Sequence, residues 1–237
     1  MCGKFTAMAS WAEAVRLSKA LIAGRDNPAG PDRELTFRVM SNLPLIVWDR
    51  DQQRRRVLTA RWGFPHPNDW RRPQPIHARA ETIETTKAFA GAFLDGQRGI
   101  VLVRSFNEAP DVKGPTIQHT ITPGADGPLG IAFVWRKFEI GAPQPLYACV
   151  MVTVPANQII ATLPTDRMPA VLAAEDWGKW LGEEPATVDA VYARNLCSRR
   201  RKKMRSALER TSTPPSCSTS GETYPRRARK VSLSAVR

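Results

Sequence analysis

Four consecutive segments decide the fold: GIVLV (residues 99–103), TIQHTIT (116–122), LGIAFVW (129–135) and LYACVMVTV (146–154). Each is short and rich in β-branched or aromatic residues, a composition suited to a pleated, half-buried surface. Turn formers bound several of them, most clearly Pro123-Gly124 and Asp126-Gly127-Pro128. Within residues 116–122, Ile117, His119 and Ile121 share one side and threonines the other. His119 therefore reads as a strand residue at the sheet surface rather than a metal ligand. Working outward, Leu45–Trp48 and Val57–Trp62 read as two earlier strands. Helical spacing is predicted over residues 11–22, opened by a Ser10/Glu13 capping box and closed by Gly24, with the Gly/Pro/Asp/Asn-rich stretch 25–33 as a loop. Further helices are predicted at Glu84–Leu94, Ala156–Leu163 and Ala174–Leu181. So few helices do not alternate with strands as a doubly wound parallel sheet requires. The expected fold is α+β, a mainly antiparallel, curved or barrel-like sheet with flanking helices.

Charge divides the chain in two. Its 237 residues carry a formal net charge of +13, from 35 Lys+Arg against 22 Asp+Glu. The last 44 positions hold 13 basic and 2 acidic residues, which leaves only +2 for the first 193. That tail includes Arg199-Arg200-Arg201-Lys202-Lys203, eight serines and few large apolar residues. It cannot bury enough apolar surface to offset its ordering entropy. The expectation is a globular domain over residues 1–190 and a disordered basic tail over 191–237, with a polyanion as partner. No apolar run approaches the ~18 residues of a membrane span. Glu13, Arg16 and Lys19 interrupt any secretory h-region. A cytoplasmic, reducing environment is expected, with Cys2, Cys149, Cys197 and Cys217 as free thiols. Neither these cysteines nor His66, His77 and His119 have the spacing of a metal site, so no metal and no cofactor are expected.

Several residues carry possible chemistry. Removal of Met1 would expose Cys2 as a 1,2-aminothiol, with an amine of pKa ~7.7–8.0 beside a thiol near ~8.5. Such a group condenses with an aldehyde to an imine, and its thiol then closes a thiazolidine. Gly3 leaves room beside the reacting atoms. Arg61-Trp62-Gly63-Phe64-Pro65 precedes His77-Ala78-Arg79-Ala80-Glu81-Thr82, where Arg79 with Glu81 reads as a phosphate contact or as a surface ion pair. Glu108, just past an apolar strand, is a candidate general acid/base or simply a solvated loop residue. Thr165-Asp166-Arg167-Met168-Pro169 reads as a rigid loop with an internal Asp166/Arg167 pair.

In order and wording these pieces resemble the SRAP family, the SOS response-associated peptidases regarded as abasic-site processing proteins. The family's Met-Cys-Gly-Arg-Phe/Tyr opening is similar to Met1–Phe5. Its Trp-Gly-Leu-x-Pro and Asn-Ala-Arg-Ala-Glu-Thr segments resemble Trp62–Pro65 and His77–Thr82. Its Gly-Phe-Tyr-Glu-Trp resembles Ser105-Phe106-Asn107-Glu108-Ala109. Its Thr-x-x-Ala-Asn and His-x-Arg-Met-Pro resemble Thr153–Asn157 and Thr165–Pro169, and Glu175-Asp176-Trp177 with Trp180-Leu181 closes the match.

The resemblance implies a monomer that binds single-stranded DNA bearing an abasic site, at the nucleoid, and links Cys2 to the sugar aldehyde as a thiazolidine. It implies catalytic roles for Cys2 and Glu108, with Arg79 on the DNA backbone and Glu81 orienting it or its neighbours. Arg167 falls in a matching DNA-binding segment, and Trp62 and Phe64 would lie near the bases. It also implies an abasic-site lyase activity and a thiol-dependent (auto)peptidase activity. Two rival readings keep the fold: a Cys2-dependent peptidase, and a non-catalytic single-strand binder. Departures are specific. Thr165 stands where the family has histidine, and His77 where it has asparagine, so His77 is expected to supply the missing imidazole. Ser105, Asn107 and Ala109 remove a tyrosine and a tryptophan from around Glu108. The stretch Leu35–Val47 follows the family only loosely, and past about Asp189 the resemblance ends.

Overall fold

The computed structural model describes residues 4–7, 36–73, 75–108, 119–123, 128–163, 165–183 and 229–233. The expected first helix, Cys2 and most of the basic tail lie outside the described residues. In chain order the strands are β1 (Lys4–Ala7), β2 (Thr36–Arg38), β3 (Asn42–Asp49), β4 (Arg54–Trp62), β5 (Pro65–His66), β6 (Asp69–Pro73) and β7 (His77–Arg79). After helix α1 (Ala90–Leu94) come β8 (Arg98–Glu108), β9 (His119–Pro123), β10 (Leu129–Phe138), β11 (Leu146–Pro155), β12 (Arg167–Pro169) and β13 (Val171–Leu172). Helix α2 (Trp177–Leu181) and β14 (Arg229–Leu233) follow.

Five strands close on themselves in the order β10-β11-β4-β3-β8, because β8 also pairs with β10. A ring of five cannot alternate direction all the way round, so one neighbouring pair must run parallel. That pair is β4 with β11, in register Ala148↔Arg61 and Cys149↔Trp62. The remaining ring pairs are antiparallel. At one mouth the ring is extended by short strands: β1 on β8, β2 on β1, β7 and β12 on β11, and β9 on β8. From the basic tail, β14 lies parallel to β9.

The ring explains why the deciding segments are continuous apolar runs instead of alternating ones. Leu43, Leu45, Val101, Val103, Ile131, Phe133, Cys149 and Met151 fill the barrel interior. The residues between them, such as Ile100, Leu102, Ala132, Val134 and Val150, form a second core outside the barrel. Phe89, Phe93, Trp177 and Trp180 cover that outer layer. Strands buried on both faces need apolar side chains on both.

Helical content is smaller than the sequence predicts. Glu84–Leu94 is helical only over α1, and Ala156–Leu163 forms a single 3₁₀ turn, Ile160–Thr162. Ala174–Leu181 divides into a 3₁₀ turn, Ala174–Asp176, and α2. Helices this short have no intrinsic stability and persist by packing. Local side chains also compete for the backbone: the Thr86 hydroxyl donates to the Thr82 carbonyl, and Asn157 Oδ1 accepts from the Ile160 N–H.

Where β8 meets β3, Gly99 is required by close approach. A Cβ there would lie 2.6–2.8 Å from three side-chain atoms of Leu45, which is itself fully buried. Gly99→Ala is expected to destabilise the fold by about 1–3 kcal/mol through overpacking. The readout is a lower urea midpoint at unchanged slope. An unchanged midpoint would show that Leu45 has room to move.

Candidate functional site

The site begins with an irregularity in β8. Against β1, Phe5 faces Phe106 and Thr6 faces Ser105, but Ala7 faces Val103, so Arg104 is an extra residue. Such a bulge reverses which side chains face inward. Before it Val101 and Val103 enter the barrel; after it Phe106 does, joined by Phe5 and Ile121. Glu108, two residues beyond Phe106, takes the same face at the mouth and is fully buried, at 0% exposure. Asn107 faces the other way and accepts a 2.8 Å hydrogen bond from the Thr120 hydroxyl. Across β9, Glu108 pairs in register with His119.

Aromatic rings close the barrel beneath this carboxyl. Phe5 stacks on Trp62 with ring centroids 4.5 Å apart, and Phe133 meets both edge-on at 6.3 Å. Trp62 Nε1 donates to the Ile76 carbonyl, and the next residue, His77, sets its ring 6.3 Å from the indole. Trp62 and Phe64 were expected beside DNA bases. Both are buried, Trp62 completely, and neither ring has a free face. Gly63 separates them with φ +115°, a left-handed conformation open to glycine. It lets Trp62 enter the barrel interior while Phe64 packs in the outer core against Phe89 and Phe138.

The basic residues are organised differently from the sequence reading. Arg167 does not pair within its own loop. Its guanidinium donates to both Glu81 carboxylate oxygens, at 3.1 and 2.9 Å, and to the Thr153 carbonyl at 2.7 Å. Glu81 thus orients Arg167 rather than forming a surface pair with Arg79, which stays exposed beside Thr153 in the β7–β11 register. Partial burial pushes the Glu81 carboxyl up. The Arg167 hydrogen bond, one from its own backbone and the Arg167 and Arg79 charges outweigh that and hold it below the usual range. Thr165 is half-buried, and its hydroxyl donates to the Arg167 carbonyl at 3.2 Å. Cys149 lies wholly inside the barrel, where burial pushes its thiol up and denies it access. Cys2 lies outside the described residues.

Two residues of the mouth and its rim were not singled out for a site. His119 was read as surface-facing, and only register places it opposite Glu108. Trp70, on hairpin β5–β6, is 41% exposed with the Arg71 guanidinium 5.6 Å from its ring centroid. The sequence signal was available: a tryptophan followed by Arg71 and Arg72 in a turn-rich stretch. Among the described residues no cluster of His, Cys, Asp or Glu is arranged to hold a metal ion, and no helix is long and apolar enough to cross a membrane.

The sequence model described as "SOS response associated peptidase (SRAP)" matches residues 1–209. No curated protein sequence matches the chain. Among solved structures, a protein from Bordetella bronchiseptica aligns over 82% of this chain and 92% of its own, with TM-score 0.65 and 20% identity. One from Bacteroides thetaiotaomicron covers 82% of this chain and 86% of its own, with TM-score 0.68 and 18% identity. A phage-related protein from Bordetella bronchiseptica covers 84% and 88%, with TM-score 0.55 and 20% identity. At these identities the likeness is one of fold.

The Glu81–Arg167 pair has a defined pH signature. A carboxyl held below its unfolded value, about 4.3, stabilises the fold fully above that value and loses the contribution as pH falls through the lower folded value. Glu81→Gln is therefore expected to be less stable than the parent at pH 7, with the two converging in acid. Urea melts from pH 7 to about 3 test this. A gap that stays constant with pH would contradict the pairing.

Proposed function

The chain belongs to the SOS response associated peptidase (SRAP) family, and from that premise we propose that it captures abasic sites in single-stranded DNA through Cys2 once Met1 is removed. The observation that carries the reading is the pairing of β1 with the end of β8. Lys4 lies opposite Asn107, next to the fully buried Glu108. Two peptide units separate Cys2 from Lys4, so covalent geometry alone keeps their Cα atoms within about 7 Å. In this reading the N-terminal aminothiol acts beside that buried carboxyl, the proximity that makes an intermolecular condensation behave as a local one.

The chemistry then runs in two stages. The Cys2 amine adds to the aldehyde carbon of the ring-opened sugar. The resulting hydroxyl takes a proton from Glu108 and leaves as water with its bonding pair, giving an iminium. The Cys2 sulfur adds to that carbon, the C=N pair returns to nitrogen, and the thiol proton goes back to the carboxylate. One water is lost overall, and neither oxidant nor reductant is consumed. Arg79, exposed at the mouth, faces the phosphates, while Arg167 is fixed by Glu81 and Thr153. His77 sits at the same mouth as a second imidazole. Trp70 with Arg71 offers the stacking face that Trp62 and Phe64 lack. The basic segment adds sequence-independent phosphate contacts. The family description also supports a peptidase reading with Cys2 as its nucleophile, while Cys149 is sealed inside the barrel.

Full-length protein incubated with single-stranded DNA bearing one abasic site should give a heat-stable shifted band on a denaturing gel. Cys2→Ala should abolish it. Intact mass must show loss of Met1; if Met1 is retained the reading fails, and Cys2-dependent peptide cleavage without a crosslink would favour the peptidase. Separately, Trp70→Ala should weaken binding of unmodified single-stranded DNA by about 5- to 160-fold, as one stacked base contributes about 1–3 kcal/mol. An unchanged Kd would remove Trp70 from the interface.

A further inference from the structure

We propose that His119 is the proton shuttle of this site, exchanging protons with the Glu108 carboxyl opposite it on β9. The inference rests on the abasic-site reading above and goes beyond it by assigning the imidazole that Thr165 does not provide. Register carries it. Phe106 pairs with Ile121 and Glu108 with His119. Phe106 and Ile121 both belong to the barrel interior. Two residues further along their strands, Glu108 and His119 share that face, where directly opposed residues hold their Cβ atoms about 4.5–5.5 Å apart.

Exposure gives the pair its direction. Glu108 is fully buried, whereas His119, opposite it in register, is half-buried and so in part open to solvent. The His119 Nδ1 is shielded from water and makes no hydrogen bond among the described residues. An imidazole can accept a proton at one nitrogen while releasing one from the other, as a shuttle requires. The neighbours support the choice. Among the described residues strand β9 pairs only with β8 and β14. The charged residues at register positions beside His119 are Glu108 on β8 and Arg229 on β14. His77 belongs to β7, attached to β11, which does not adjoin β8. The Thr165 hydroxyl is committed to the Arg167 carbonyl.

In the reaction, Glu108 donates the proton that departs in water and is left as a carboxylate. When the Cys2 sulfur bonds to the iminium carbon, its thiol proton passes to one nitrogen of His119. The other nitrogen releases a proton to Glu108, which restores the carboxylic acid and leaves His119 neutral in its other tautomer; exchange with water at the half-buried ring resets it. No proton is gained or lost in the cycle.

The test is single-turnover crosslinking of the full chain to single-stranded DNA with one abasic site, measured from about pH 5 to 9. His119→Gln, which keeps a polar side chain on the strand, should slow crosslinking on the order of 100-fold. It should also lose a titration present in the parent while retaining the parent's DNA affinity and final crosslink yield. Adding imidazole should restore rate to His119→Gly. A His119→Gln rate and pH profile equal to the parent's overturn the shuttle and leave abasic-site capture standing. A loss of rate with an unaltered pH profile and no imidazole rescue also overturns it, because a structural role would behave that way. If the parent itself forms no Cys2-dependent crosslink, both the capture reading and the shuttle fall.

Discussion

One extra residue in β8, Arg104, sets the chemistry of the barrel mouth. Side chains alternate along a strand, so without the bulge Phe106 and Glu108 would lie outside the barrel and Asn107 would point in. With it, the interior run of Val101 and Val103 continues through Phe106 to Glu108. The bulge lies where β8 changes company. Up to Val103 it pairs with β3 and β10 in the closed ring; from Ser105 to Glu108 its partners are β1 and β9. A strand that leaves a barrel must bend and twist, and an inserted residue does both. The same step turns a carboxyl inward, one residue beyond the Lys4–Asn107 pairing.

Aromatic packing holds that segment in place. Phe5 stacks on Trp62, and Phe133 meets both edge-on, so the first described strand is fastened to the barrel by rings from β4 and β10. Such pairs contribute about 0.5–1.5 kcal/mol each beyond the area they bury. Phe5 is thereby part of the core, and Lys4 before it pairs with Asn107 at the end of β8. Trp62 and Phe64, which look like nucleic-acid contacts in a motif, have the different task of joining the inner and outer cores across Gly63.

Much of the fold was legible because its signals are local. Five of the six predicted strands fall within β3, β4, β8, β10 and β11, the strands of the ring, and the sixth overlaps β9. The helices were overestimated because apolar residues at helical spacing around Phe89 and Phe93 are needed by the outer core, whatever the backbone does between them. Arg167 was assigned to Asp166 next door, but the β11–β12 and β11–β7 pairings bring Glu81 to it from 86 positions away. His119 was placed correctly on a strand and on the face of Ile121. What its neighbour across β8 would be was beyond any reading of residues 116–122.

The sequence by itself determined the β-rich α+β class, the two-part distribution of charge and the ordered series of family motifs. Composition, period and motif wording are properties of neighbouring residues. Only the tertiary structure decided which aromatics are buried and which is exposed, which carboxylate holds Arg167, and that Glu108 faces inward opposite His119. Those outcomes depend on register between strands far apart in the chain, and on one bulge whose presence is settled by how β8 must bend to leave the barrel.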